Sequence, residues 1–98
     1  SNILCPSKNY FILEVKGDSM NKIYPPGDLI LIESTNLVNN DDIVIAVKGN
    51  VLSVRRLYKS GKAIILQAMN PKYQTIVVNV FSEDMILGKV ETLSREIK

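Results

Sequence analysis

Histidine is absent from this 98-residue sequence, and its absence restricts the possible chemistry. Without histidine the chain cannot supply a Ser-His-Asp or Cys-His catalytic set, and most zinc sites are excluded too. A serine nucleophile would therefore need another base. The single cysteine, Cys5, rules out an internal disulfide and is typical of a reducing compartment. We predict no metal site and no bound cofactor.

Strong charge and long apolar runs are also missing. Twelve Lys+Arg against ten Asp+Glu give a net charge of +2, which is too even for a nucleic-acid surface or a polybasic membrane anchor. No apolar run reaches the roughly 18 residues of a membrane span, and Ser1-Asn2-Ile3 lacks the basic and apolar pattern of a signal peptide. We expect a cytoplasmic protein with no membrane partner. The first residue is not Met, which suggests a piece of a longer protein.

What the sequence does contain is a series of short β-rich runs. Hydrophobic residues make up 46% of the chain, enough for one domain over residues 1–98. Turn signals recur roughly every ten residues, and no useful helical periodicity is present. The predicted strands are 10–15, 29–32, 43–47, 51–58, 63–68, 75–80 and 85–93, with one helical turn over 21–23. They predict an all-β sandwich or partly open barrel, in which strands 29–32 and 43–47 are buried on both faces.

A glycine-marked turn, Gly17-Asp18-Ser19-Met20, follows the first predicted strand. Such a turn can display the Ser19 hydroxyl and point backbone N–H groups outward, as nucleophilic serines require. The same triplet is commonly a solvated turn whose Asp and Ser bond nearby backbone. Residues 26–28, Pro-Gly-Asp, form a second tight turn.

The strand over residues 51–58 carries two adjacent arginines. Its side chains alternate between two faces: Ser53, Arg55 and Leu57 on one, and Leu52, Val54, Arg56 and Tyr58 on the other. By count, the second face is the predicted core face. Arg55 and Arg56 are interpreted either as a solvated or edge-protecting pair or, if the strand lies beside the Ser19 turn, as part of a catalytic site.

Six motifs recur in one order along nearly the whole chain, from about Phe11 to Leu93. They are Gly17-Asp18-Ser19-Met20, Pro26-Gly27-Asp28-Leu29, Asp42-Ile43-Val44-Ile45-Ala46, Val51-Leu52-Ser53-Val54-Arg55-Arg56-Leu57, Leu66-Gln67-Ala68-Met69-Asn70-Pro71-Lys72-Tyr73 and Leu87-Gly88-Lys89-Val90. This order resembles the C-terminal domain of the LexA and phage-repressor family of self-cleaving serine peptidases. The segment 70–73 looks more like the phage repressors than like LexA, and signal peptidases share the same catalytic core.

The resemblance implies a Ser-Lys dyad. Ser19 would attack a peptide bond of its own polypeptide, and a neutral lysine on the paired strand would take the hydroxyl proton. Lysine can act as a base there because burial disfavours its ammonium form. The backbone N–H groups of Ser19 and Asp18 would stabilise the oxyanion. Five further residues are predicted to support the site: Gly17, Met20, Pro26, Gly27 and Asp28.

At the base position this sequence departs from the family pattern. The residue in register with the lysine is Arg55. Bringing a guanidinium to its neutral form near pH 7 costs more than about 7 kcal/mol, so we predict that the dyad is disabled. Lys59 has the same strand parity but lies roughly 13 Å further along, too far to replace the base without a bulge.

The cleaved bond of the family, Ala-Gly or Cys-Gly, precedes the serine by some tens of residues. Only 18 residues precede Ser19, and neither dipeptide occurs among them. We therefore expect the upstream connector, which would be the substrate, and a DNA-binding domain to lie outside this chain. The resemblance implies a dimerising domain of a transcriptional repressor, with DNA bound through the missing domain and RecA as a candidate partner. An active autoprotease or signal-peptidase-like hydrolase is the alternative.

Overall fold

The computed structural model describes residues 7–17, 20, 24–78 and 85–91, and these ranges contain seven β-strands and no α-helix. The strands are β1 (Tyr10–Glu14), β2 (Leu29–Glu33), β3 (Ile43–Lys48), β4 (Val51–Ser60), β5 (Ala63–Gln67), β6 (Ile76–Val78) and β7 (Ile86–Glu91). The all-β prediction is confirmed, and each predicted strand is found with slightly different bounds. The predicted helical turn over 21–23 and the outer ends of the last two predicted strands lie outside the described residues.

The seven strands form one antiparallel sheet in the order β1-β2-β7-β3-β4-β5-β6. Two-residue turns join β3 to β4 and β4 to β5. Gly49 and Gly61 occupy these turns with φ of 62° and 60°, a conformation that costs glycine little. β7 does not extend the end of the sheet; it lies between β2 and β3.

Each face of the sheet carries an apolar cluster. The first core contains Val38, Val44, Ala46, Leu57, Ile64, Leu66 and Ile86. The second core contains Val15, Met20, Tyr24, Ile30, Ile32 and Ile45. Successive side chains of a strand point to opposite faces, so Val44 and Ile45 of β3 contribute to different cores. β3 is therefore buried on both faces, as predicted.

Two predictions of burial were wrong. Leu52 is 55% exposed whereas Leu57 is fully buried, so the predicted core face of β4 is not its most buried face. Counting apolar residues could not separate the faces, because Val54 packs against the second core while Leu57 belongs to the first. β2 was predicted to be buried on both faces, but only one face is fully buried. Ile30 and Ile32 are buried, whereas Leu29 is 63% exposed, since no core in the described residues covers that side of the strand end.

Gly88 of β7 explains why glycine is needed in the last of the six motifs. A Cβ atom at this position would lie 2.5 Å from Ile32 Cγ2 and 2.6 Å from the Glu33 carbonyl oxygen. The pairing of β7 with β3 also shifts register beside it, between Ile45 and Ala46. Gly88 therefore allows β2 and β7 to approach closely at an irregular point of the sheet.

Candidate active site

The end of β1 and the turn at 25–28 are joined by the backbone. The Val15 N–H donates to the Asp28 carbonyl at 2.8 Å, and the Gly27 N–H donates to the Val15 carbonyl at 2.8 Å. The turn closes on itself through the Asp28 N–H and the Pro25 carbonyl, 3.1 Å apart, with Gly27 at φ 95°. The predicted supporting turn therefore contacts the last residues before the Ser19 segment.

Ser19 and Asp18 lie outside the described residues, so their role stays a prediction. Met20, directly after Ser19, is 1% exposed and belongs to the second core. Its carbonyl accepts the Tyr24 N–H at 2.7 Å. Val54, directly before Arg55, packs against the same core. One neighbour of each predicted dyad position, Met20 and Val54, thus belongs to or packs against the second core, whereas Arg55 itself lies on the face of the first core. Gly17 is exposed.

Arg55 is buried, with 7% of its surface exposed. It lies opposite Val44 on the face of the first core, and the pairing of β4 with β5 begins only at the next residue. Its guanidinium extends past the end of β5, where Nη1 donates to the Gln74 carbonyl at 2.7 Å. Its Nε makes no hydrogen bond with any described residue. The solvated interpretation of Arg55 is therefore wrong.

Burial lowers the pKa of Arg55 below its ordinary value, because desolvation disfavours the cation. The electrostatic interaction with Tyr73 opposes this effect and raises the pKa. An arginine cation still holds its proton far more strongly than a buried lysine does. Arg55 can therefore donate hydrogen bonds at this position, but it cannot take a proton from a serine.

The segment 70–73 forms the turn that brings Gln74 to Arg55. The Tyr73 N–H donates to the Asn70 carbonyl at 3.1 Å, and the Asn70 side-chain oxygen accepts the Lys72 N–H at 3.1 Å. The Lys72 ammonium lies 5.4 Å from the centre of the Tyr73 ring, within the range of a cation–π interaction. Sequence reasoning missed Gln74, because a backbone carbonyl acceptor has no signature in residue type.

Arg56 and Lys59 have surface environments. Arg56 Nη1 lies 3.6 Å from Asp41 Oδ1 and 3.3 Å from the Asp41 carbonyl oxygen. Lys59 is exposed, and its backbone N–H donates to Asn40 Oδ1 at 2.6 Å. β4 pairs with β5 without a register shift from Arg56 to Ser60, so no bulge between them brings Lys59 nearer to Arg55.

Glu33 is a second buried charged residue, and sequence reasoning passed over it. It is 6% exposed, its Oε2 lies 3.4 Å from Lys8 Nζ, and its Oε1 has no partner among the described residues. It follows Ile32 at the end of β2, opposite Tyr10 and Lys89. On the alternating pattern of β2 it lies away from the second core, so it is not part of the cluster that joins Met20 and Val54.

Within the described ranges, no three His, Cys, Asp or Glu side chains are grouped to hold a metal ion. The same part of the chain contains no helix with the length and apolarity needed to cross a membrane.

Comparison with known proteins identifies the family. Residues 1–91 match the Peptidase S24-like family. The LexA repressor of Clostridium perfringens (strain SM101 / Type A) is 38% identical over 95 residues, covering 96% of this chain and 45% of that protein. That of Carboxydothermus hydrogenoformans is 36% identical over 95 residues, covering 94% and 46%. That of Magnetococcus marinus is 43% identical over 82 residues, covering 82% and 35%. The chain spans less than half of each relative, and by its family match it belongs to the Peptidase S24-like proteins.

Proposed function

We propose that this chain is the C-terminal regulatory domain of a LexA-type transcriptional repressor, in which self-cleavage through Ser19 is disabled. The observation that carries the proposal is the buried guanidinium of Arg55, the residue that the sequence resemblance aligns with the base lysine of the family. A serine hydroxyl must lose its proton as it attacks, and a permanently charged guanidinium provides no acceptor for it. The domain would then have the fold of a peptidase but would not cleave its substrate.

The remaining role of such a domain is association. A repressor that binds a two-fold operator needs two DNA-binding domains held in symmetric register, and a dimerising C-terminal domain supplies that arrangement. We propose that this chain forms a homodimer and acts on DNA only through a domain outside it. The phage-like character of segment 70–73 and any dependence on RecA remain part of this proposal.

The proposal is tested by restoring the lysine. In the full-length protein, with its upstream connector, Arg55→Lys should switch on self-cleavage and raise its rate by a factor of at least about 100, a typical contribution of general-base catalysis. The rate should increase with pH as the lysine deprotonates. Parent and variant are incubated from neutral to alkaline pH, with and without RecA, and the fragments are identified by mass spectrometry.

The double variant Ser19→Ala with Arg55→Lys is the control and should remain intact, because the base has no nucleophile to activate. Efficient cutting of the Arg55 protein at neutral pH would overturn the proposal of a disabled dyad. It would favour the alternative of an active peptidase with another base. No cutting in any variant, with folded protein, would count against the assignment of the two dyad positions.

The dimer is tested by sedimentation. The apolar residues 85–87 of the last strand suggest that the C-terminal segment helps to form a symmetric dimer, but Ile86 is 4% exposed and belongs to the first core. Of the two residues of this segment that belong to β7, only Leu87, at 43% exposure, remains available for an interface. We expect a dimer at high micromolar concentration of the full-length protein. A monomer throughout this range would contradict the proposed association.

A further inference from the structure

We propose that Arg55 is a structural clamp that fixes the 70–78 segment to β4. The inference goes beyond the proposed function because it does not depend on Ser19. β4 and β6 are not neighbours in the sheet, since β5 lies between them. β5 ends at Gln67, opposite Arg56, so no strand separates Arg55 from the chain that returns toward β6. The guanidinium spans this gap and binds the Gln74 carbonyl directly.

The segment that Arg55 holds makes few hydrogen bonds to the sheet, although Ile76 and Val78 pack against the first core. β6 has only three residues and pairs with β5 through Ile76, Val77 and Val78. The five residues before β6 are exposed, although the Asn70–Tyr73 turn is closed by its own hydrogen bonds. A short, charge-assisted hydrogen bond at 2.7 Å fixes this turn relative to the core. The clamp therefore acts at the entrance to the outermost strand.

Arginine suits this role better than lysine. Its planar group presents five N–H donors on a long stem and stays charged when desolvated, whereas a lysine presents one compact ammonium and readily loses its proton on burial. Arginine at position 55 therefore cannot act as the catalytic base, but it makes a contact with the Gln74 carbonyl that a lysine would make poorly.

The test is amide hydrogen exchange, followed by mass spectrometry of peptides from 70–78 and from β3. All proteins are full-length and carry Ser19→Ala, so that restored cleavage cannot affect the result. Arg55→Met should accelerate exchange in 70–78 by about 10- to 100-fold, the effect of losing a hydrogen bond to a charged group, and leave β3 within about twofold. Arg55→Lys should accelerate the same peptides, but less.

Arg56→Met is the matched control, because it removes an arginine one residue away whose contacts are with Asp41. Its 70–78 peptides should exchange like those of the parent. Unchanged exchange of 70–78 in Arg55→Met would overturn the clamp, and so would equal acceleration in β3 and 70–78, which would show a general loss of stability. If Arg55→Met does not fold, Arg55→Lys decides by the same criterion: selective acceleration of 70–78 supports the clamp, and its absence overturns it.

Discussion

Arg55 and Arg56 are adjacent on β4 but belong to two different regions of the molecule. Arg55 is buried on the face of the first core, where Nη1 binds the Gln74 carbonyl. Arg56 is on the opposite face, where its side chain, 24% exposed, pairs with an Asp41 side chain that is 70% exposed. Residue type is the same in both cases, so the difference in environment comes entirely from the alternation of the strand.

The interactions of Arg56 and Arg55 contribute to stability in different ways. An exposed ion pair such as that of Arg56 contributes about 0–1 kcal/mol, since water screens both charges. The hydrogen bond of Arg55 contributes about 1.5–3 kcal/mol, but desolvation of the cation offsets part of this gain. Arg55 therefore has strong local consequences and a small net effect on global stability. Mutations on the two faces must therefore be compared both by their local effects and by their effect on the free energy of unfolding.

The largest effect on stability should come from the buried apolar face of β4. Leu57→Ala removes a fully buried side chain of the first core and should lower the free energy of unfolding by about 2–5 kcal/mol. Leu52→Ala, on the face that the sequence favoured, should cost less than about 0.5 kcal/mol, because Leu52 is 55% exposed. Urea unfolding of both variants checks the order. Equal losses would contradict the assignment of the buried face.

A smaller effect should appear in the pH dependence of Arg55→Lys in the Ser19→Ala background. The burial that lowers the pKa of Arg55 should also lower the pKa of a lysine there, below its ordinary value of about 10.4. Between the folded and unfolded pKa values the unfolded chain then binds more protons, so stability rises with pH in that window. Across this window the free energy of unfolding of Arg55→Lys should rise, relative to that of the parent, by about 1.4 kcal/mol for each unit by which the pKa of the lysine is lowered.

Urea unfolding at several pH values from 7 to 10 measures this difference. Arg56→Lys is the control on the other face and should follow the parent within about 0.5 kcal/mol at each pH, because its site is partly solvated. If Arg55→Lys also runs parallel to the parent, the lysine keeps its ordinary pKa. The Arg55 site would then be too well solvated to activate a base.

The strands could be predicted because each corresponds to an apolar run between turn residues. Two of these turns contain glycine, Gly49 and Gly61, and each lies in a tight hairpin with positive φ. The insertion of β7 between β2 and β3 was not predicted, because strand order depends on contacts between residues far apart in the chain. Nor could the face of β4 be predicted by counting, since apolar layers cover both sides of the sheet.

The candidate site was predictable only in part. Family resemblance selected Arg55, whereas its residue type alone suggested solvent. An Asn-Pro pair such as Asn70-Pro71 favours a turn, and the structure contains one. The acceptor that this turn delivers is a main-chain carbonyl, which every residue possesses, so nothing in the identity of Gln74 indicated its contact with Arg55.

The position of β7 also has a consequence for synthesis on the ribosome. Strands β1 and β2 form one piece of the sheet and β3 to β6 form another, and among the described strands only β7 hydrogen-bonds to both. Until Glu91 has left the ribosomal exit tunnel, the edges of β2 and β3 have no partner in the native sheet. Unpaired apolar edges promote aggregation of incomplete chains. A chain that ends before Ile86 would leave one edge of β2 and one edge of β3 unpaired, and the two parts would be joined only by packing such as that of Ile32 and Ile45 in the second core.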